Sequence, residues 1–262
     1  MADIIRIAVV QSHVERDIRA NGAHIRALLD VAAAQGAELA LFPEGALSGY
    51  AKAQVSDWAD LDWPALAEEM SSTATHAAHL GLTAVVGAAH PVAGKRPYNS
   101  LHALPRGARY DKRYLSHTEI TGWYTPGFEP MTLEQAGFAF GMTICIEIQF
   151  PELFAGYERL SVDCVLHSTY GLGPVGDVIL QGHAATNCLW LAVATPANAA
   201  DPASGIVGPD GHWMARCGAG VDVAVATLDR TDPRFDIALY KARPWRRIAR
   251  QGDIYRDAIK PG

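Results

Sequence analysis

Short apolar, β-branched runs and stretches with helical spacing alternate along almost the whole chain. That alternation restricts the fold to α/β layering, with sheet inside and helices outside. Strands are expected at residues 4–10, 38–42, 83–89, 101–104, 108–110, 139–144, 164–166, 189–194, 206–207 and 221–227. Helices are expected at 23–34, with Asn21 as cap and Gly36 as stop, and at 64–80, closed by Gly81. Two more are expected at 151–160, opened by Pro151, and at 179–187. No linker, repeat or low-complexity stretch divides the 262 residues. Residues 1–262 are therefore read as one domain, with a C-terminal arm from about residue 233.

Charge and cysteine usage narrow the function classes. The formal net charge is −6, and the one basic cluster is the short stretch 241–250, "KARPWRRIAR". That balance argues against a nucleic-acid partner, and the cluster is expected to be a solvated or dimer-facing tail. The four cysteines, at 145, 164, 188 and 217, form no C-x-x-C pair. Cys164 and Cys188 sit in apolar surroundings and are expected in the core. His76 and His79 lie three apart on a helix, but no third ligand stands near them, so a solvated face is expected and no metal. The N-terminus lacks the layout of a signal peptide, and no 18-residue apolar run could cross a membrane. A reducing cytoplasm with free thiols is the expected location.

Three charged or reactive residues follow apolar strands: Glu44 in "LALFPEGALSGY", Lys112 in "ARYDKRYLSHTEI" and Cys145 in "GMTICIEIQFPE". Functional groups of α/β folds gather at strand ends. Taken singly, each has a bland reading as a loop carboxylate, a surface lysine or a core thiol. Together, and in this order, the three motifs resemble those of the nitrilase superfamily, the carbon–nitrogen hydrolases. "LFPEGALSGY" is similar to the family's first-glutamate motif and "YDKRYLSHTE" to its lysine motif. "GMTICIEIQFPE" is similar to its cysteine motif, G-x-x-I-C-[YW]-D-x-R-F-P-E. "TPG" at 125–127 and "GIVGPDG" at 205–211 also fit in order and spacing.

The resemblance implies a four-layer αββα sandwich, usually a dimer or larger homo-oligomer, with Glu44, Lys112 and Cys145 as a catalytic triad and Glu119 as a second glutamate. It implies a cofactor-free cysteine hydrolase of non-peptide C–N bonds. A thiolate is a far better nucleophile than a thiol. Lys112 would favour the thiolate, and Glu44 would accept the proton and later activate water. Lys112 and the backbone N–H of Ile146 would stabilise the oxyanion. The departures from the motif are Glu147, where the family usually has Asp, and Gln149, where it usually has Arg. Tyr50, Trp123, Tyr124, His167 and Tyr170 are candidates for the substrate pocket.

The expected substrate is a small carboxamide, hydrolysed through a thioester, with carbamoyl-amine or nitrile hydrolysis as alternatives within the family. Two rivals come from outside this reading. One is a non-catalytic scaffold or binding relative with a redox-sensitive Cys145. The other is a thiol protease, which needs a Cys–His pair.

Overall fold

The computed structural model describes residues 3–199 and 204–258. Strands β1 (Ile4–Gln11), β2 (Leu39–Leu41), β3 (Thr83–His90), β4 (Tyr98–Leu104) and β5 (Ala108–Asp111) belong to one sheet. Strands β6 (Thr132–Gln135), β7 (Phe138–Ile144), β8 (Cys164–Ser168), β9 (Trp190–Ala194), β10 (Gly205–Val207) and β11 (Trp213–Arg216) form a second. The chain then returns to the first sheet as β12 (Asp222–Asp229), antiparallel to β1 from Ile4↔Asp229 to Gln11↔Asp222. The strand orders are β12-β1-β2-β3-β4-β5 and β11-β10-β9-β8-β7-β6.

Side chains alternate across a strand, so each sheet has two faces to bury. Ile7, Val9, Leu39 and Leu41 of the first sheet meet Phe140, Met142, Ile144, Leu166 and Trp190 of the second in one central core. The alternate residues Ala8, Val10, Ala40 and Val86 face outward, under α1 (Ile18–Ala34) and α2 (Trp63–Leu80), where Ile25, Leu29 and Leu66 cover them. Val165, Leu191 and Val193 likewise lie under α4 (Pro151–Arg159) and α5 (Gly176–Asn187), against Phe154 and Leu180. The layers are helix, sheet, sheet, helix, as the resemblance implied.

Several local expectations need correction. Helix α1 is capped by Asp17, whose carboxylate accepts from the Arg19 and Ala20 N–H groups. Asn21 lies inside the helix, buried, and donates to the Glu15 and Leu47 carbonyls. Helix α5 opens at Gly176 rather than 179. The short helix α3 (His117–Gly122) and strands β6 and β11 carry too little periodic apolar pattern to be read from sequence. His76 pairs with Asp30 at 2.8 Å on the exposed face of α2, and Cys164 and Cys188 are buried as expected.

The basic C-terminal stretch, expected as a solvated or dimer-facing tail, packs on its own chain. It forms α6 (Arg243–Gln251), which is followed by α7 (Asp253–Ala258). Its arginines turn onto the chain's own α4 and α5, because a buried carboxylate waits there. Glu158 is 1% exposed and accepts from Arg247 Nε at 2.9 Å and Arg250 Nη1 at 3.1 Å. Arg250 also donates to Asn187 Oδ1 at 2.8 Å, and Arg246 to the Ala185 carbonyl at 2.6 Å. Trp245 and Ile248, on the other side of α6, are exposed, and Arg247 and Arg250 remain partly so. Glu158 is buried while its arginine partners stay partly in water, so its loss costs less than breaking a fully buried pair. Glu158→Ala is expected to cost about 2 kcal/mol, read as a lower midpoint in guanidinium unfolding, with faster proteolysis within residues 243–258. An unchanged midpoint would mean that the arginines are held by the carbonyls alone.

Candidate active site

The three motif residues each leave the C-terminal end of a strand, and the backbone is shaped to let them meet. Glu44 stands in the turn after β2. A Cβ at Gly87 on β3 would lie 2.3 Å from the Pro43 carbonyl and 2.9 Å from Glu44 Cα, so only glycine lets this turn lie against the strand. Lys112 follows β5. Its N–H donates to the Asn99 carbonyl at 2.9 Å, and its carbonyl accepts from Gly127 N at 2.8 Å. A Cβ at Gly127 would lie 2.3 Å from the Asp111 carbonyl, which explains the glycine of the "TPG" segment.

Lys112 is fully buried between two carboxylates. Its Nζ lies 3.1 Å from Glu44 Oε1, and 2.8 and 3.0 Å from the two oxygens of Glu119. Asn99 Nδ2 bridges the same carboxylates, donating to Glu44 at 2.7 Å and to Glu119 at 3.3 Å. The second oxygen of Glu44 accepts from Tyr170 N at 2.9 Å. Glu119 is also the third residue of a capping box: its Oε2 accepts from Ser116 N at 2.8 Å, and Ser116 Oγ accepts from Glu119 N.

Cys145 occupies a left-handed backbone position, φ +50°, at the turn out of β7. A residue with a Cβ is strained there and must be held by its surroundings. Glu147 does the holding. Its buried carboxylate accepts from Ile144 N at 2.7 Å on the cysteine side. It accepts from Arg113 N at 2.8 Å and Tyr114 N at 3.0 Å on the lysine side, and from Tyr110 OH at 2.7 Å. One side chain thus ties the cysteine turn to the loop that carries Lys112. Gln149 is exposed.

The electrostatics separate the two glutamates. Burial, with the Glu119 charge added, raises Glu44 above the usual carboxylate range, although Lys112 and Asn99 pull the other way. Burial works against Glu119 too, but Lys112 and the Ser116 donors outweigh it and hold it below that range. Burial would lower Lys112, yet the surrounding negative groups hold it above the ordinary lysine value, firmly charged. Burial and the Glu44 charge push the Cys145 thiol up to about 12, against the pull of Lys112 and a hydrogen bond with Thr169.

The other candidates fall into two groups. Tyr50 stacks on Tyr170 with ring centroids 4.7 Å apart, and its hydroxyl lies 3.4 Å from Glu119 Oε1. Tyr124 is buried, and its hydroxyl is raised by burial and by the Glu44 and Glu119 charges. Trp58 packs against both Tyr124 and Trp123 and donates to the Trp123 carbonyl at 2.8 Å. Ile146 is partly exposed directly after Cys145. His167 does not join them. On β8, Cys164 and Leu166 face the central core, so strand alternation turns His167 with Val165 toward the helix layer. It is fully buried there, with Nδ1 2.9 Å from Thr143 Oγ1. The sequence reading missed Asn99 and Gln54 altogether. Neither offered a signal: Asn99 stands in the polar stretch just before the strand expected at 101–104, and Gln54 in a loop.

Among the described residues, no group of three or more His, Cys, Asp or Glu is placed to hold a metal ion. Among them too, no helix is long and apolar enough to cross a membrane.

The carbon–nitrogen hydrolase family pattern matches residues 6–235, nearly the whole chain and every residue of this cluster. The chain belongs to the carbon–nitrogen hydrolase family. Among relatives, this family member is 28% identical over 219 residues to a hydrolase of Mycobacterium tuberculosis, covering 77% of this chain and 76% of the other. It is 26% identical over 263 residues to an omega-amidase of Danio rerio, covering 91% and 94%. Among solved structures, the amidase of Nesterenkonia sp. AN1 superposes with a TM-score of 0.78 at 23% identity, over 93% of this chain and 97% of that one. In that structure, of a mutant, the acetamide moiety of fluoroacetamide is covalently added at the active-site cysteine. The same amidase has been solved in complex with butyramide. As a fold, this carbon–nitrogen hydrolase is the αββα sandwich of those amidases.

Proposed function

We propose that this carbon–nitrogen hydrolase is an amidase that releases ammonia from a small carboxamide, with Cys145 as nucleophile. One observation carries the reading: Lys112, fully buried, is held between Glu44 at 3.1 Å and both oxygens of Glu119 at 2.8 and 3.0 Å, at the same end of the sheets as Cys145. The directions in which burial and Lys112 push the two carboxylates agree with separate roles for them. Glu44, raised, is the group that takes and returns a proton. Glu119, lowered, stays ionised and keeps Lys112 charged and in place.

The resting thiol is protonated, because burial raises it. As Cys145 Sγ attacks the amide carbon, its proton passes to Glu44. The C–S bond forms and the carbonyl π pair moves to oxygen. Lys112 and the Ile146 N–H receive that oxyanion. The oxyanion collapses, the C–N bond breaks, and the proton returns to nitrogen, so that ammonia leaves a thioester. Glu44 then takes a proton from water, whose oxygen attacks the thioester. The C–S bond breaks, the proton goes to sulfur, and the acid leaves. Support for an amide substrate comes from the omega-amidase relative and from the amidase that carries an acetamide moiety on its cysteine.

The test is ammonia release from a panel of small amides, ω-amides, carbamoyl-amino acids and nitriles, run beside Cys145→Ala. Release from amides by the wild type, with a loss of about 1000-fold or more in the variant, is expected. Release confined to carbamoyl compounds or nitriles would replace the amide by that bond. No cysteine-dependent release from any class would move the protein to the scaffold reading. Activity should also fall in acid. The base must be unprotonated, so kcat/KM is lost as pH drops through the raised pKa of Glu44, above the usual carboxylate range. We also propose a homodimer that covers the exposed Ile237, Tyr240, Trp245 and Ile248, to be checked by sedimentation.

A further inference from the structure

We propose that Gln54 is a positioning residue that clamps the glutamate loop of one sheet to the cysteine-side loop of the other. This rests on the amidase reading above for its catalytic consequence. Glu44 leaves the first sheet and Cys145 leaves the second. Their mutual placement therefore depends on how the two sheets are fastened at this end. Residues 168–171, at the end of β8 and just beyond it, run beside both groups. Ser168 is the register partner of Ile144, the residue before Cys145, and Tyr170 N donates to Glu44 Oε2 at 2.9 Å. Ser168 Oγ adds a bond to the Phe42 carbonyl at 2.7 Å, at the root of the glutamate turn.

Gln54 fastens the far end of this segment. Its Nε2 donates to Tyr170 OH at 2.7 Å, and its Oε1 accepts from Tyr50 N at 3.1 Å. The same carboxamide therefore fixes both members of the stacked Tyr50–Tyr170 pair. One of these tyrosines reaches Glu119 through its hydroxyl, the other Glu44 through its backbone. The loop that presents Gln54 is itself closed, with Gln54 N and Val55 N both donating to the Tyr50 carbonyl. Gly49 makes room for it: φ is +78°, and a Cβ there would stand 2.7 Å from Gln54 Cβ. Gln54 needs no contact with substrate for this role. It holds the tyrosines, and through them the distance between base and nucleophile, where a shift of an ångström costs rate steeply.

The experiment compares wild type, Gln54→Leu and Gln54→Glu, with Cys145→Ala in parallel. The primary readout needs no substrate turnover. It is the rate of Cys145 alkylation by iodoacetamide, followed by peptide mass between about pH 5 and pH 9, beside kcat, KM and thermal midpoint. Leucine keeps the volume and loses both hydrogen bonds. Glutamate keeps the acceptor for Tyr50 N and can accept from Tyr170 OH. We expect Gln54→Leu to alkylate about tenfold more slowly, with a displaced pH profile. Its kcat should fall by a similar factor, KM and midpoint should hold, and Gln54→Glu should recover most of the rate. Any other pattern overturns the proposal. Leucine rates within twofold of wild type would show that the clamp is idle. A loss that follows the midpoint and is not recovered by glutamate would show a merely structural residue. If wild type releases no ammonia from any amide, the amidase reading fails, while the alkylation rates still decide the clamp.

Discussion

On the proposed mechanism, Lys112→Met is expected to lower kcat/KM for amides by about 1000-fold or more, through loss of the proposed oxyanion donor together with the charge between the two glutamates. Methionine fills much of the same space, so the change reads charge rather than volume. Its second effect is on stability. Glu44 and Glu119 share Lys112 and Asn99. Without the lysine, two buried carboxylates face each other with only an amide between them, and one must take up a proton near neutral pH.

The pH dependence follows from the signs. In the wild type Glu119 is lowered by Lys112, so it contributes stability that is present above the unfolded carboxylate pKa and lost as pH falls through the folded one. In the variant that contribution is gone and both carboxyls are raised by burial, so folding binds protons. The variant's deficit should therefore be largest at high pH, about 3 kcal/mol at pH 7, and should shrink toward the ordinary carboxylate range. Thermal midpoints of both proteins between about pH 4 and pH 8 would show the gap widening with pH. A gap independent of pH would mean that the lysine contributes packing rather than charge.

The parts of this molecule that could be read in its sequence are those set by local chemistry. The strands before Glu44 and Cys145 are apolar, and Lys112 follows a short run of strand, so the strand ends are legible, while the roles of the residues on them come only from the resemblance. Pro151 and Gly81 marked helix ends because each acts on its own backbone. What was hidden depends on residues far apart in the chain. Asn99 is an ordinary polar residue until the fold brings Glu44 and Glu119 to it, 55 and 20 positions away. The arginines of α6 read as a solvated or dimer-facing tail because Glu158, their partner, lies about 90 residues earlier. His167 lies on the expected strand, and strand alternation, which the sequence does not orient, turns it toward the helix layer.

Glu147 bears on the same limit, because the sequence marks it only as a departure from the family's aspartate. Glu147→Ala is expected to cost about 3 kcal/mol, since it strips the acceptor from one buried and two partly buried backbone N–H groups and from the buried Tyr110 hydroxyl at once. The same change should reduce kcat by about 100-fold even in the folded fraction. The turn at Cys145 is strained at φ +50°, and the loop at Arg113 and Tyr114 follows Lys112 directly. Both lose their common anchor. Glu147→Asp separates the two effects. It keeps the charge but is one methylene short, so it cannot reach Ile144 N and the Arg113–Tyr114 pair together without movement of one loop. We expect it to recover most of the stability, measured by guanidinium unfolding, and little of kcat. If Asp restored both, the geometry of this turn would be set by charge alone. If Ala left kcat intact while the fold weakened, the cysteine turn would be held by its own backbone and Glu147 would serve only to join the loops.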